Sequence, residues 1–169
     1  ATFTAGSSWT AYDAGAISGL STKGYYGAVF DGKNIYFVPF HNGAYHGNVL
    51  KFDTTLSFTA GASWTAYNTS TTSGLSTNGF IGGSFDGRYI YFSPYYNGTA
   101  YNGNVVRYDT SASFSTSGSW SATNAAATDS LSTKGYGASI FDGRYIYFSP
   151  EFDGSVYHGN VLRYDTTGT

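Results

Sequence analysis

The sequence predicts an all-β fold made of three tandem copies of one unit of about 55 residues, and three observations carry that prediction. The first is composition: of 169 residues, 20% are aromatic, 23 are Gly and only 11% are charged. Aromatic and β-branched residues interleaved with Gly, Ser, Thr and Asn favour short strands joined by turns, and no Ala/Leu/Glu/Lys run suggests a helix. The second is self-similarity, with Trp9, Trp64 and Trp120 recurring at spacings of 55 and 56, as do Leu20, Leu75 and Leu131 in LSTKG, LSTNG and LSTKG. The third is a pair of motifs at the same period. FDGKNIYFVP, FDGRYIYFSP and FDGRYIYFSP place Asp31, Asp86 and Asp142, and GNVLKFDT, GNVVRYDT and GNVLRYDT place Asp53, Asp109 and Asp165. A fixed period of this length tiling the chain is the signature of a repeat architecture.

Each unit contains four strand candidates, taken here from the second copy in order. The first spans 79–85 (GFIGGSF) and leads through Asp86-Gly87 into the second, at 89–94 (YIYFSP). An Asp-Gly pair between two aromatic-rich runs is a strong hairpin signal, because Gly accepts the positive φ of a tight turn. The third runs over 104–109 (NVVRYD), and the fourth begins near Trp120 (SWSAT). Small residues sit mid-way in the first strand, at Gly27-Ala28, Gly82-Gly83 and Ala138-Ser139, which suits a position where backbones crowd together.

Four antiparallel strands in such a unit fit one blade of a β-propeller. The Gly-rich first strand, the DGRYIYF hairpin and a Trp ahead of the next unit resemble Kelch-type and other tandem-blade propellers over the full chain, although the double glycine is complete only at Gly82-Gly83. The expected organisation is one repeat domain over 1–169, with an outer strand at 1–13 followed by units at about 24–68, 79–123 and 135–169. TFTAGSSWTAYDA at the start aligns with SFTAGASWTAYNT, and VLRYDTTGT at the end stops after a third strand, so the first segment is expected to complete the last unit. Propellers have roughly 4–8 blades, so three are too few for a ring. A homodimer exchanging terminal strands would close six blades. A longer repeat array of which this is a fragment, and a β-trefoil, are the alternatives.

Net charge is −2 and the isoelectric point about 5.8, so the basic surface needed for nucleic acid is missing. No apolar run approaches the roughly 20 residues of a spanning helix, so no membrane insertion is expected. Zero Cys excludes thiolate chemistry and leaves the compartment open, since secreted bacterial proteins often lack Cys; a secreted or cell-surface, bacterial-type location is the expectation. Catalysis has little support. All eight basic residues occupy repeat positions, and six Asp fall in the repeated turns and strand ends, where turn chemistry and cross-strand charge pairing account for them. Glu151 and Asp153 lie two apart in one loop, a poor basis for a glycosidase pair, and His41, His46 and His158 lack a nucleophile or carboxylate motif. No catalytic residue, metal or cofactor is expected, and the chain is read as a non-enzyme.

Binding has better support. The loops between second and third strands read FHNGAYHGN, YYNGTAYNGN and FDGSVYHGN, and those before each first strand end in STKG, STNG and STKG. The candidate ligand-binding residues are therefore His41, Tyr45 and His46; Tyr96, Tyr101 and Asn102; Phe152, Tyr157 and His158; and Lys23, Asn78 and Lys134. Aromatic faces pack on the C–H faces of sugars while amide, imidazole and ammonium groups bond hydroxyls, so a multivalent glycan-binding module is the first reading. In plan it resembles oligomeric propeller lectins. The rival reading is a structural or protein-interaction scaffold, in which Tyr45, Tyr101 and Tyr157 only fill gaps between neighbouring units and the three Trp serve packing.

Overall fold

The computed structural model describes residues 2–168 and is an all-β repeat structure. β1 (Tyr25–Phe30), β2 (Asn34–Pro39), β3 (Asn48–Asp53) and β4 (Trp64–Asn68) form one antiparallel sheet in chain order. β5 (Phe80–Phe85), β6 (Tyr89–Pro94), β7 (Asn104–Asp109) and β8 (Trp120–Asn124) repeat it, and β9 (Tyr136–Phe141), β10 (Tyr145–Pro150) and β11 (Leu162–Asp165) form a third, three-stranded sheet. The other elements are single 3₁₀ turns, and among the described residues no helix is long and apolar enough to cross a membrane.

Local chemistry explains the repeated motifs. In the FDG turn, Gly32, Gly87 and Gly143 take φ of 99°, 101° and 107°, as the sequence requires. Asp86 Oδ1 accepts the backbone N–H of Arg88 (2.8 Å) and Tyr89 (2.6 Å), and the Tyr91 hydroxyl donates to Oδ2 (2.8 Å), so one carboxylate ties the turn to the following strand. Arg88 then reaches Asp109 at 2.7 Å, as Lys33 reaches Asp53 (3.1 Å) and Arg144 reaches Asp165 (2.7 Å), pinning second to third strand. The LST threonines, Thr22, Thr77 and Thr133, are buried and donate to the Ala14, Thr69 and Ala125 carbonyls. The Asn of each GNV motif anchors the third strand, its amide donating to Ser21 O, Ser76 O and Ser132 O at 3.0, 2.8 and 2.9 Å.

The units interlock through their faces. β5 packs against both β1 and β9. A Cβ on Gly83 would lie 2.8 Å from Val29 Cγ2, so the small residues of the first strand admit close approach of the preceding unit. The second-strand tyrosines reach forward, Tyr36 to Tyr108 and Tyr91 to Tyr164, with ring centroids 5.7 Å apart in each case. Lys51 lies over the Phe114 ring at 4.8 Å. Trp120, buried in the outer strand, stacks on Tyr67 of the preceding outer strand (5.0 Å, 10°), and Trp64 stacks on Tyr12 (5.5 Å, 15°).

One element differs from the sequence expectation. Residues 2–13 form no strand; they make a 3₁₀ turn at Gly6–Ser8 and then run on without a sheet partner. The reason is that a strand exists through its neighbour's hydrogen bonds, and β11, the strand that the repeat pairs with this segment, lies beyond the second unit. Tyr12, Ala14, Ile17 and Leu20 instead pack on the cluster of Leu50, Phe52, Trp64 and Ala66 in the first unit.

Candidate functional site

The loops joining second to third strands meet along one line. Each closes on itself by an isolated bridge, His41 to Tyr45, Tyr96 to Tyr101 and Phe152 to Tyr157. Each loop tyrosine then lies on the next loop: Tyr45 against Tyr96 (4.9 Å, 70°) and Tyr101 against Phe152 (5.0 Å, 82°). The result is a continuous aromatic row, His41, Tyr45, Tyr96, Tyr101, Phe152, Tyr157, crossing all three units. Two glycines permit this closeness. Gly154, at φ 101°, would bring a Cβ within 3.3 Å of the Tyr101 ring, and Gly135, at φ 67°, would drive one to 1.8 Å from the Phe152 carbonyl oxygen.

The twelve residues singled out from sequence divide into two groups. His46 and Asn102 are buried and turned to the backbone. His46 Nδ1 accepts the Asn48 N–H (3.2 Å), its Nε2 faces the Lys23 and Gly24 carbonyls without a well-formed hydrogen bond, and burial lowers its pKa below the usual 6.5. Asn102 Oδ1 accepts the Asn104 N–H (2.9 Å) and its amide donates to Tyr95 O (3.3 Å). His158, half-buried, repeats the pattern: Nδ1 accepts from Asn160 N (3.2 Å), so Nε2 carries the proton donated to Lys134 O (2.8 Å). His46 and His158 face the segment before the first strand of their own unit, whereas Asn102 bonds within its own loop, so all three side chains point into the fold.

The second group reaches the surface. Lys23 and His41 are exposed; Tyr45, Tyr96, Tyr101, Phe152, Lys134 and Asn78 are half-buried, Asn78 with a buried Oδ1 that lacks a partner. Tyr157, on which no further loop packs among the described residues, is 82% exposed. Between the second and third loops a depression of about 430 Å³ collects Tyr96, Thr99, Tyr101, Lys134, Asp153 and Ser155. Tyr96, Tyr101 and Lys134 are among the residues that the sequence singles out. Thr99, Asp153 and Ser155 are not, and the legible signal is Asp153 itself, an acid that stands where the other loops carry Asn42 and Asn97. Its Oδ1 accepts the Ser155 and Val156 N–H groups (2.9 and 3.0 Å). Those bonds, with smaller help from Ser132 and the Lys134 charge, lower its pKa to about 2.

Chemically the depression offers two aromatic rings, an ammonium, a carboxylate held ionised and two hydroxyls in one shallow span. No protein-family model and no curated protein matches the chain.

Proposed function

We propose that the three sheets are propeller blades and that the chain is a non-enzymatic, multivalent glycan-binding module whose sites lie between neighbouring loops. The observation that carries this reading is the depression between the second and third loops, where Tyr96 and Tyr101 stand beside Lys134 and Asp153. Such a site suits a sugar: C–H faces pack on the rings while hydroxyls bond the charged groups, and shallow individual sites gain strength by repetition. The equivalent place between the first two loops substitutes Asn78 for Lys134 and Asn97 for Asp153, so the sites share a frame and differ in charge.

The scaffold reading draws support from Tyr45 and Tyr101, whose rings pack on the next loop, and from the backbone bonds of His46 and Asn102. A glycan-array screen followed by Lys134→Ala separates the two. The expected outcome is at least a tenfold loss of binding to a multivalent glycan, with the melting temperature unchanged to within a degree or two. Absence of any hit on a broad array, or a hit indifferent to Lys134, sinks the glycan reading in favour of the scaffold.

A further inference from the structure

Building on the blade reading, we infer that the partner of this chain is a second copy of itself, and that residues 2–13 of each copy form the missing outer strand of the other's third sheet. A plug without a socket and a socket without a plug carry this.

The plug is already shaped. Trp9 Nε1 donates to Phe3 O (3.0 Å) with the two rings 5.3 Å apart, edge to face. Trp64 with Phe58 and Trp120 with Phe114 reproduce it, at 3.0 Å and 5.5 Å and at 2.9 Å and 5.4 Å. Trp64 and Trp120 are buried in their sheets, whereas Trp9 is 64% exposed. Local geometry so closely matched, with its apolar payload in solvent, marks a segment preformed for a sheet that this copy does not supply.

The socket is an apolar groove of about 430 Å³ beside β11, with Val105, Ala122, Thr123, Phe148, Leu162 and Tyr164 among its walls. In the second unit the same space is filled by Trp120, against Phe92 (6.1 Å) and Tyr108 (4.7 Å), whose counterparts in the third are Phe148 and Tyr164. The internal register Phe52 to Trp64 and Lys51 to Thr65, repeated as Tyr108 to Trp120 and Arg107 to Ser121, carries over as Tyr164 to Trp9 and Arg163 to Thr10. A further contact waits at Asp129. Ser18 and Ser73, both at φ 54°, accept the N–H of Ala66 and Ala122 in the next outer strand (3.1 and 3.0 Å). Asp129 holds the same backbone conformation, φ 52°, and the N–H falling to it by repeat is that of Ala11.

The faces agree. Forward-facing Val49 and Val105 are buried by the following unit, but Val161 is 60% exposed; Val29 and Ser84 are buried, but Ile140 is 69% exposed. At the other end of the arc Tyr26 and Phe30 of β1 are exposed. The chain cannot join its own ends this way, since Tyr12 on Trp64 and Ser18 on Ala66 hold the plug on the far side of the first unit, with the second between it and β11. Two copies joined end to end satisfy both plugs and both sockets under one two-fold axis, a closed assembly in which β11 gains the neighbour that β3 and β7 already have.

Light scattering at about 10 μM is expected to give twice the 18.0 kDa chain mass. Trp9→Ala, which removes a mostly exposed ring, is expected to shift the protein to the single-chain mass with its circular dichroism spectrum intact. Because the chain has no cysteine, Thr10→Cys with Arg163→Cys gives an unambiguous cross-link: oxidation is expected to yield covalent dimers from the double variant and none from either single variant. A wild type at single-chain mass overturns the inference, as does a disulfide formed within one chain, or a ladder of higher species, which signals open filaments. The glycan reading fails independently: a dimer that binds no glycan leaves this inference standing, and a glycan-binding monomer overturns it alone.

Discussion

At the scale of single residues, the repeat separates two roles that glycine plays. Gly87 has positive φ but open space where a Cβ would go, so its cost on substitution is backbone strain alone. Gly135 has positive φ and a carbonyl oxygen in the way. Gly87→Val is expected to destabilise by about 1–3 kcal/mol, the cost of holding an L side chain in that region. Gly135→Ala, though smaller in volume, is expected to cost more and to disturb the Phe152 loop. Thermal unfolding of the two variants side by side checks this, and a Gly87→Val protein that melts with the wild type would contradict the turn. The same scale shows why ionisable residues in this sequence are poor guides to function. Asp86 is consumed by its own turn, and His46 by its own strand entry.

At the scale of elements, hairpins are fastened by charge, and this sets an acid limit on the fold. The Arg88 hydrogen bond holds the Asp109 pKa at about 2 against the opposing effect of burial, with Ser111 assisting; Asp53 is held near the same value by Thr55 first and Lys33 after it. A carboxylate with a folded pKa below its unfolded value of about 3.9 adds stability above that value and loses it as the pH falls toward 2. His46 acts earlier: its folded pKa lies below 6.5, so the unfolded chain takes up a proton that the folded chain resists, and stability slips once the pH drops under about 6.5. The melting temperature is thus expected to decline in two stages. His46→Asn, which installs the residue of the second unit, is expected to remove the first stage, and Arg88→Leu to shrink the second. A melting temperature constant from pH 7 to pH 2 would contradict both assignments.

At the scale of the whole molecule, what matters is that three units of one design sit in three different surroundings. Tyr101 lies on Phe152, while Tyr157, its equivalent, faces solvent; in the dimer proposed above it would meet His41 of the second copy. Tyr157→Ala is expected to leave the unfolding of the isolated chain within about 0.5 kcal/mol of wild type yet weaken dimerisation about tenfold, whereas Tyr101→Ala lowers the melting temperature. Sedimentation over a concentration series separates the two effects, and a Tyr157→Ala protein that dimerises normally would count against the assembly. By itself the sequence determined the strands within the three units, their turns, their order and the three-fold repetition, because these rest on local chemistry: aromatic and β-branched runs punctuated by Asp-Gly turns. It also marked Asp153 as an exception. It did not reveal that His46 and Asn102 face inward, and it left open whether Tyr45 and Tyr101 lean on a neighbouring unit, since a motif repeats identically whether or not a neighbour covers it. Only the tertiary structure decided that residues 2–13 are no strand and that Trp9 is exposed where Trp64 and Trp120 are buried. The physical reason is that pairing and burial are relations between segments, and segments alike in sequence part company where one has a neighbour in space and the other has none.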